Sequence, residues 1–459
     1  MVPTRVLLLV FLTIYRSIVQ SKVSVRGVLS RVTVKGRLMM ASASSQASRT
    51  TGGEAPPISI SGVQFDNRNL RELPVDPMTG NSIRTVKDSV FSRVAPTPVQ
   101  GPTLVSVSPE ALSLLGVANP DTEAAREELA RFLGGNEVLK GSDPAAHCYC
   151  GHQFGNFAGQ LGDGAAISLG EVMSATDGAR WELQLKGAGP TPYSRSADGR
   201  KVLRSSIREY LMSESMHFLG IPTTRAATLV TSKSTVVRDP MYDGTRLKEP
   251  CTIVSRLAPN FFRFGSFEIF KTHEGGPGGR AGPSAGNTVL HKQLLEYVIR
   301  HYYPDIFAIK DEKQRVRSFF AEVVQRTARL VAAWGGIGWV HGVLNTDNMS
   351  IMGLTIDYGP YGFVESFDPE FTPNGSDGTA RYAYKHQAAM CRWNCKKLAE
   401  ALRPFLDEDD VESLLAVSFD AVYEEEHMTW MRGKLGLSVA DATGDENFDA
   451  DLIDGLFST

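Results

Sequence analysis

The chain has 459 residues, of which 42% are hydrophobic and 22% charged, and this composition excludes wholesale disorder. Residues 1–53 contain eight basic residues and no acidic one, so the rest of the chain holds 40 basic and 51 acidic residues, a net charge of −11. That acidic balance argues against nucleic acid as a partner, because phosphate backbones require a basic face. Five cysteines are too few at this length to predict a disulfide scaffold.

The N-terminus has the composition of a targeting segment. An apolar run from Val6 to Tyr15 is too short to span a bilayer, which takes about 20 residues, so we expect no stable membrane insertion. The Arg- and Ser-rich stretch behind it contains no acidic residue, as is typical of organelle transit peptides. Residues 1–55 are therefore predicted to be a targeting or disordered segment outside the fold. Mitochondrial localisation is favoured over a plastid, secretory or two-part signal and over a tail with no address.

Residues 56–150 are predicted to form an N-terminal arm with a helical extension. Residues 56–100 are rich in Pro, Asn and Arg and show little periodicity, which is typical of an extended, loop-rich segment. A short strand is expected at Leu104–Val107, and helical structure is expected over residues 109–135.

A strand and a helix are predicted after the glycine-punctuated stretch from Gly151 to Glu171. Residues Trp181–Lys186 alternate as a half-buried strand does. The apolar positions within Leu203–Met216 have near-helical spacing. Asp198 is the predicted N-cap of this helix, and Gly220 suits its end.

The order of the elements predicts an α+β fold. Strands come first and helices dominate afterwards, so we expect a mixed, β-rich lobe over residues 151–250 and a mostly helical lobe over 251–459. The elements expected after residue 220 are strands at Ala227–Thr231 and Cys251–Leu257, a low-complexity loop over 274–288, and helices over 289–303 and 312–334.

The first motif with chemical meaning is Gly162-Asp163-Gly164. Glycines let backbone N–H groups approach phosphates closely, although a tight turn between two strands is the commoner reason for such a motif. The third glycine of a full G-x-G-x-x-G motif is absent, because Ile167 lies at its position.

Lys186 and Glu209 form a second motif. Lys186 ends the predicted strand and Glu209 lies on the helix that follows. Protein kinases hold a strand lysine against ATP phosphates with a helix glutamate in this arrangement. Either residue alone would be explained as a surface lysine or a solvated glutamate.

The segments His341–Asn348 and Asp357–Gly359 resemble two kinase motifs, H-x-D-x-x-x-x-N and D-F-G. When the sequence is registered on the histidine, Asn348 and Asp357 fall on the two magnesium ligands. The run between them, Met349–Ile356, is predicted to be the strand that joins such ligands.

Val343 lies where a kinase has its base, and an aliphatic side chain cannot accept a proton. Asp347 is the nearest carboxylate that could replace it. The site is therefore either a non-catalytic ATP-binding pseudokinase scaffold or a site rebuilt for a different transfer. The retained Lys186, Asn348 and Asp357 favour a site that holds ATP and metal, and Val343 argues against an ordinary kinase.

Four long stretches resemble the selenoprotein O family, also called the YdiU family. The likeness covers about residues 60–400 and its motifs are specific. The stretches are GHQFGNFAGQLGDG (151–164), LQLKGAGPTPYSRSADGRKVLRSSIREYL (183–211), FFRFGSFEIF (261–270) and HGVLNTDNMSIMGLTIDYGPYGF (341–363).

The resemblance implies a protein-kinase-like, two-lobed fold that binds ATP in reversed orientation. It implies a protein adenylyltransferase, which moves AMP from ATP to Ser, Thr or Tyr hydroxyls of protein substrates and releases pyrophosphate, with Mg²⁺ or Mn²⁺ as cofactor. The eukaryotic members are similar to mitochondrial proteins. Members usually end in a redox pair, Cys-x-x-Cys or Cys-x-selenocysteine, and we expect this sequence, which stops at Thr459, to lack that region.

The resemblance also implies roles for individual residues. Asp347 matches the acceptor-side catalytic aspartate, and Asn348 and Asp357 match the metal ligands. Many bacterial members carry Arg after Gly-Asp-Gly, where this chain has Ala165. The nucleotide-binding positions implied are Gly162, Gly164, Ala165, Lys186, Asp198, Gly199, Glu209, Arg256, Arg263 and Asp357.

Two Cys- and His-containing groups are predicted to be structural. The stretch His147–His152 places two histidines and two cysteines together, and Cys391 and Cys395 lie one helical turn apart. Zinc sites normally need a second ligand pair at a distance, and none stands out for either group.

Overall fold

The computed structural model describes residues 56–437 except 242 and 273–278, together with Gly455. The predicted targeting segment and part of the predicted low-complexity loop therefore lie outside the described residues. The described part combines one large mixed sheet with helices, some between its strands and most after it in the chain, in agreement with the predicted mixture of strands and helices.

Ten strands of the described residues form the main sheet, and they are β1 Gln64–Phe65, β2 Val75–Asp76, β3 Phe91–Arg93, β4 Thr103–Val107, β5 Ala145–His147, β8 Ala166–Met173, β9 Arg180–Lys186, β10 Lys201–Val202, β11 Arg225–Arg238 and β12 Leu247–Ala258. Their order is β2-β3-β5-β8-β9-β12-β11-β4; β1 pairs with β8, and β10 with β12. Five of them come from residues 56–150 and five from residues 166–258. The β2–β3 pairing is parallel and the other pairings in this sheet are antiparallel.

Two further strand pairs lie outside the main sheet. A hairpin joins β6 (Cys150–Gln153) to β7 (Asn156–Gln160), and β13 (Trp339–Val340) pairs with β14 (Gly362–Phe363). Both pairs flank the segments that carry the predicted motifs, and Cys150 and Trp339 anchor them in the hydrophobic core.

The helices concentrate after residue 258. The longest helix, Glu312–Gly336, packs through one buried face that includes Phe319, Phe320, Val323 and Trp334. No helix among the described residues is both long enough and apolar enough to cross a membrane. The helices are α1 Arg68–Glu72, α2 Pro109–Ser113, α3 Glu123–Leu133, α4 Leu203–Phe218, α5 Phe264–Glu268, α6 Thr288–Tyr302, α7 Pro304–Phe307, α8 Glu312–Gly336, α9 Gln387–Ala401, α10 Glu408–Leu415 and α11 Ala421–Leu435.

Three sequence predictions about these elements need correction. The helical region predicted over 109–135 is divided into α2 and α3, because Gly116 adopts a left-handed φ of 71° and Pro120 follows it. The N-cap residue of α4 is Val202 and not the predicted Asp198. The predicted strand Met349–Ile356 is instead a turn with two isolated bridges, at Ser350 and Thr355.

Helix α4 lies against the two longest strands. Tyr210 of the helix packs with Ala226 and Leu229 of β11 and Val254 of β12. This contact fixes the helix across the sheet, so its polar residues are directed to one place.

A buried ion pair locks the same contact. Glu214 of α4 accepts two hydrogen bonds from the Arg225 guanidinium (2.7 and 2.9 Å). It also accepts from the Ala226 backbone N–H (2.9 Å) and the Ser108 hydroxyl (2.6 Å). One carboxylate thus ties helix α4 to β11 and to the end of β4.

We expect Glu214→Ala to lower the free energy of unfolding by about 3–5 kcal/mol, because it leaves the Arg225 charge buried without a partner. Urea unfolding followed by circular dichroism measures this. Lys292→Ala is the matched control: it breaks a solvent-exposed ion pair with Glu312 (2.7 Å), and exposed ion pairs add little to stability. Equal losses in the two variants would contradict the prediction.

Candidate active site

The predicted pair of Lys186 and Glu209 is present. Lys186 is the last residue of β9, and its Nζ lies 2.9 Å from Glu209 Oε1 on α4. Both side chains are buried. The sequence prediction of this ion pair is therefore confirmed.

Asp357 lies among three cations. Its Oδ1 accepts from Lys186 Nζ at 2.9 Å and from Arg256 Nη1 at 2.5 Å, and its Oδ2 accepts from Arg263 Nη1. The residue has a φ of 60°, in the left-handed region that Asp tolerates better than most side chains. The three cationic side chains singled out from the sequence thus converge on one carboxylate.

The charges of this cluster nearly balance. Arg256 Nη1 lies 3.1 Å from Glu209 Oε1, and Arg263 Nη2 lies 3.6 Å from Asp163 Oδ1. Burial by itself would raise the pKa of Asp357, but the three cations around it, Arg263 foremost, hold that pKa well below its usual range. Asp357 is consequently ionised at neutral pH.

The loop that begins at His341 has a defined internal hydrogen-bond pattern. His341 Nδ1 accepts from the Val343 N–H (3.3 Å), and its Nε2 donates to the Ile356 carbonyl (3.1 Å). Burial lowers the pKa of His341 to about 4, so the ring is neutral. Asn348 Nδ2 donates to the Val343 carbonyl (3.0 Å), and no described residue donates to its Oδ1.

Arg263 joins this loop to Asp357. Its Nη1 donates both to the Asp347 carbonyl, at 2.7 Å, and to the Asp357 carboxylate. The arginine is 1% exposed, so the contact is shielded from water. The two motifs that carry Asn348 and Asp357 therefore meet at a single buried guanidinium.

The Asp347 side chain is a buried carboxyl with little support. It is 8% exposed, and its Oδ1 has no hydrogen-bond partner among the described residues. Its Oδ2 lies 3.5 Å from Gln153 Nε2, a marginal contact. Burial raises the pKa of Asp347 to about 7. A Cβ on Gly151 would lie 2.4 Å from Oδ1, so only glycine fits behind this carboxyl.

The glycines of the Gly162-Asp163-Gly164 turn have a packing role. Gly162 has a φ of 86°, and a Cβ there would lie 2.3 Å from the Tyr193 ring. A Cβ on Gly164 would lie 2.9 Å from the Tyr193 carbonyl. The Ala165 carbonyl accepts from the Gly187 N–H at 2.7 Å, which ties the turn to the end of β9. The turn therefore lies beside Lys186.

Asp198 and Gly199 lie apart from the cation cluster in their contacts. The Asp198 carboxylate accepts two hydrogen bonds from Arg238 (2.7 and 2.8 Å), and that pairing lowers its pKa. Gly199 has a φ of 67° and packs against Gly189. A Cβ on Gly199 would lie 2.1 Å from the Gly189 carbonyl oxygen. Neither residue contacts Lys186 or Asp357 among the interactions of the described residues.

Lys201 is a further cation on the same face of the sheet, which sequence reasoning missed. Lys186 lies opposite Val254 and Lys201 opposite Thr252, two residues apart on β12. Residues opposite one another in antiparallel strands share a face, as do residues two apart, so both lysines project to the side of α4. Burial first, and then the charge of Lys186, lowers the pKa of Lys201.

The ammonium of Lys201 donates no hydrogen bond to the described residues and forms no ion pair with them. Its charge is therefore unmatched beside a cluster that is otherwise balanced. The only sequence signal for it was its place within the long Leu183–Leu211 stretch, at the start of the helix that carries Glu209.

The His and Cys groups predicted to be structural have partners of their own. His147 Nε2 lies 2.6 Å from Glu182, and His152 Nδ1 lies 2.6 Å from Glu268. Glu268 also accepts from the Thr346 hydroxyl at 2.7 Å, which supports the residue before Asp347. The four cysteines of these groups are buried and not disulfide-bonded, and they are Cys148, Cys150, Cys391 and Cys395.

Comparison with known proteins shows the family of this chain. Residues 78–459 match the family model described as protein adenylyltransferase SelO. The chain belongs to this family. Relatives in the SelO family include the human protein named protein adenylyltransferase SelO, mitochondrial (55% identity, 88% of this chain), and a zebrafish SelO-1 (51%, 87%). A protein nucleotidyltransferase YdiU from Azoarcus sp. is 49% identical over 85% of this chain and 72% of its own length.

The matched region is only part of the longer SelO family members. The chain spans 62% of the human relative and 59% of the zebrafish relative. The matched part contains every motif described above, from the glycine turn to Asp357.

We expect Asp347→Asn to stabilise the nucleotide-free, metal-free protein above neutral pH. The pKa of Asp347 in the folded state, about 7, exceeds its ordinary value of 3.8. The contribution of Asp347 to the free energy of unfolding is therefore favourable at low pH and is lost as the pH rises through 7. Asn keeps the shape without the buried charge. The gain should be small at pH 4 and reach on the order of 2–4 kcal/mol at pH 8.

Chemical unfolding at four pH values in chelator-treated buffer measures this difference. Asp407→Asn is the control, because that carboxylate is 65% exposed and its removal should be nearly neutral. A difference between Asp347→Asn and the parent protein that stays constant from pH 4 to pH 8 would contradict the assigned pKa.

Proposed function

We propose that this chain is a protein adenylyltransferase with a protein-kinase-like, two-lobed fold. It would move AMP from ATP to Ser, Thr or Tyr hydroxyls of proteins and release pyrophosphate. The observation that carries the proposal is the convergence of Lys186, Arg256 and Arg263 on Asp357, beside the buried Asp347 and with Val343 at the kinase base position.

The cation cluster suits a polyphosphate. Forked guanidiniums match phosphate oxygens, and Arg256 and Arg263 are each at most 2% exposed, so they are already desolvated and held in place. Phosphate oxygens can replace the Asp357 oxygens now bound to these cations. Gly162, Gly164, Ala165, Asp198 and Gly199 complete the proposed nucleotide-binding set.

Asn348 and Asp357 are the proposed ligands of Mg²⁺ or Mn²⁺. Hard divalent cations prefer oxygen ligands, and Asn348 Oδ1 accepts no hydrogen bond from the described residues while Asp357 is ionised. The bound cation would offset the negative charge of the polyphosphate.

Asp347 is the proposed general base. A base works best when its pKa lies near the operating pH, and burial raises the pKa of Asp347 to about 7. In the reaction, Asp347 would take the proton of the acceptor hydroxyl as that oxygen bonds to the α-phosphorus. The bond between the α-phosphorus and the bridging oxygen would break, and pyrophosphate would leave toward Lys186, Arg256 and Arg263. Those cations would stabilise the charge that the leaving group gains.

We also propose a mitochondrial location and no nucleic-acid partner. The human, mouse and zebrafish relatives carry the word mitochondrial in their names, whereas the bacterial relatives do not. The acidic balance of residues 54–459 supports the absence of a nucleic-acid partner.

ATP labelled separately at the α- and γ-phosphates tests the function. We expect α-label on a generic protein acceptor and no γ-label, because Val343 cannot serve a γ-phosphoryl transfer. Asp347→Asn should lower α-label transfer by about 10²–10⁴-fold, and Asp407→Asn should not change it. Transfer of γ-label would indicate an ordinary kinase, and ATP binding without transfer of either label would indicate a scaffold.

Lys201→Met should weaken ATP binding by about tenfold, since it removes a partly buried lysine that forms no ion pair among the described residues and lies beside the proposed phosphate cations. AMP binding should change less, because AMP lacks the β- and γ-phosphates. Calorimetric titration with both nucleotides measures the two effects. Lys248→Met is the control, since Lys248 is an exposed lysine of β12. Equal affinities of Lys201→Met and the parent protein for ATP would exclude Lys201 from the site.

A further inference from the structure

The tip of the hairpin between β6 and β7 has an unusual residue for its backbone. Phe154 and Gly155 form the two-residue turn, with φ values of 50° and 87°. A turn with two positive φ values favours Asn-Gly or Asp-Gly, and a bulky side chain in the left-handed region is strained. Gly155 suits its place, whereas the turn itself gives no reason for an aromatic at position 154.

Long-range hydrogen bonds hold Phe154 in this conformation. Its N–H donates to Asn345 Oδ1 (3.2 Å) and to Tyr382 Oη (3.1 Å). The Tyr382 hydroxyl also donates to Asn345 Oδ1 at 2.7 Å. The strained turn is thus fixed by a residue that lies two positions before Asp347, and such fixed strain is typical of functional sites.

The hairpin packs against the proposed base. Gln153 Nε2 lies 3.5 Å from Asp347 Oδ2, and a Cβ on Gly151 would lie 2.4 Å from Asp347 Oδ1. Phe154 is 39% exposed, and its ring centroid lies 5.3 Å from that of Tyr382. An accessible aromatic side chain is therefore held one residue away from a side chain that touches the base.

A cation lies beside the same turn. A Cβ on Gly155 would lie 3.3 Å from Arg381 Cζ, so the guanidinium packs against the turn. Arg381 lies over the Trp393 ring at 4.9 Å. It forms no ion pair with the described residues, and its Nε is buried without a hydrogen-bond partner. Arg381 is partly exposed and also lies over the Tyr382 ring at 5.8 Å, so among the described residues its charge has aromatic contacts but no carboxylate partner.

We infer that Phe154 and Arg381 form the docking surface for the acceptor segment of the protein substrate. Phe154 would contact an apolar side chain next to the reacting hydroxyl, and Arg381 would pair with an acidic side chain near it. This inference rests on the proposed adenylyl transfer. It adds a substrate class: acceptor hydroxyls flanked by an apolar and an acidic residue.

The alternative is that Phe154 only stabilises the hairpin. The two roles predict opposite changes in stability for Phe154→Asn. Asn relieves the left-handed strain and should keep or raise the melting temperature if Phe154 serves docking. A purely structural Phe154 would make that variant less stable and leave its affinity for acceptors unchanged.

The test uses the full chain and two Ser peptides that differ only in having Glu or Lys beside the Ser-Leu pair. Transfer of α-label gives KM for each peptide, and fluorescence anisotropy gives peptide affinity without chemistry. We expect the parent protein to prefer the Glu peptide. Phe154→Asn should raise KM and Kd for that peptide about tenfold with ATP affinity unchanged. Arg381→Glu should reverse the preference toward the Lys peptide.

Phe363→Asn is the matched control, since Phe363 is an exposed aromatic on β14, outside the hairpin. If KM and Kd were unchanged in both Phe154→Asn and Arg381→Glu, the docking surface would be wrong. Transfer of α-label by the parent protein would still support the adenylyl transfer. If no acceptor received α-label but the variants still bound the peptides more weakly, the proposed adenylyl transfer would be wrong and the docking surface would stand. If Arg381→Glu kept both the transfer activity and the preference for the Glu peptide, an acidic residue beside the acceptor hydroxyl would not be part of the substrate class.

Discussion

The carboxylate of Asp357 allows three cations to lie buried beside one another. Lys186, Arg256 and Arg263 come from β9, from β12 and from the segment just before α5, and each contacts this one group. Without it their mutual repulsion and lost hydration would oppose the closed arrangement of the sheet against the helices that follow. Glu209 adds a second anion, so α4 is drawn to the same point. The cluster therefore positions elements as well as functional groups.

The two aspartates of the site are held in opposite states by their surroundings. Cations stabilise the ionised form of Asp357, while burial without full hydrogen bonding favours the protonated form of Asp347. A site with one carboxylate fixed as an anion and another near its midpoint at neutral pH can both bind cations and move a proton. Asp347, which lacks hydrogen bonds to its Oδ1, and the strained turn at Phe154 both lower the stability of the fold locally.

Order and spacing along the chain were enough to predict several parts of the site. The pairing of Lys186 with Glu209 followed from a strand and a helix that meet in sequence, and the structure confirms it. The equivalence of Asn348 and Asp357 to metal ligands followed from fixed distances to His341, and it stays a prediction. Element types were predicted well where hydrophobic periodicity was strong, as in α6 and α8, because burial of one face is encoded locally.

Other features depended on contacts between residues far apart in the chain, and the tertiary structure alone decided them. Asp198 looked like a helix cap, but its carboxylate pairs with Arg238, which no local pattern indicates. Lys201 joins the cation face only because β10 and β9 pair with the same side of β12. The strain at Phe154 arises from its bonds to Asn345 and Tyr382. A sequence determines which side chains can carry charge and which segments bury a face, whereas packing determines which charges finally meet.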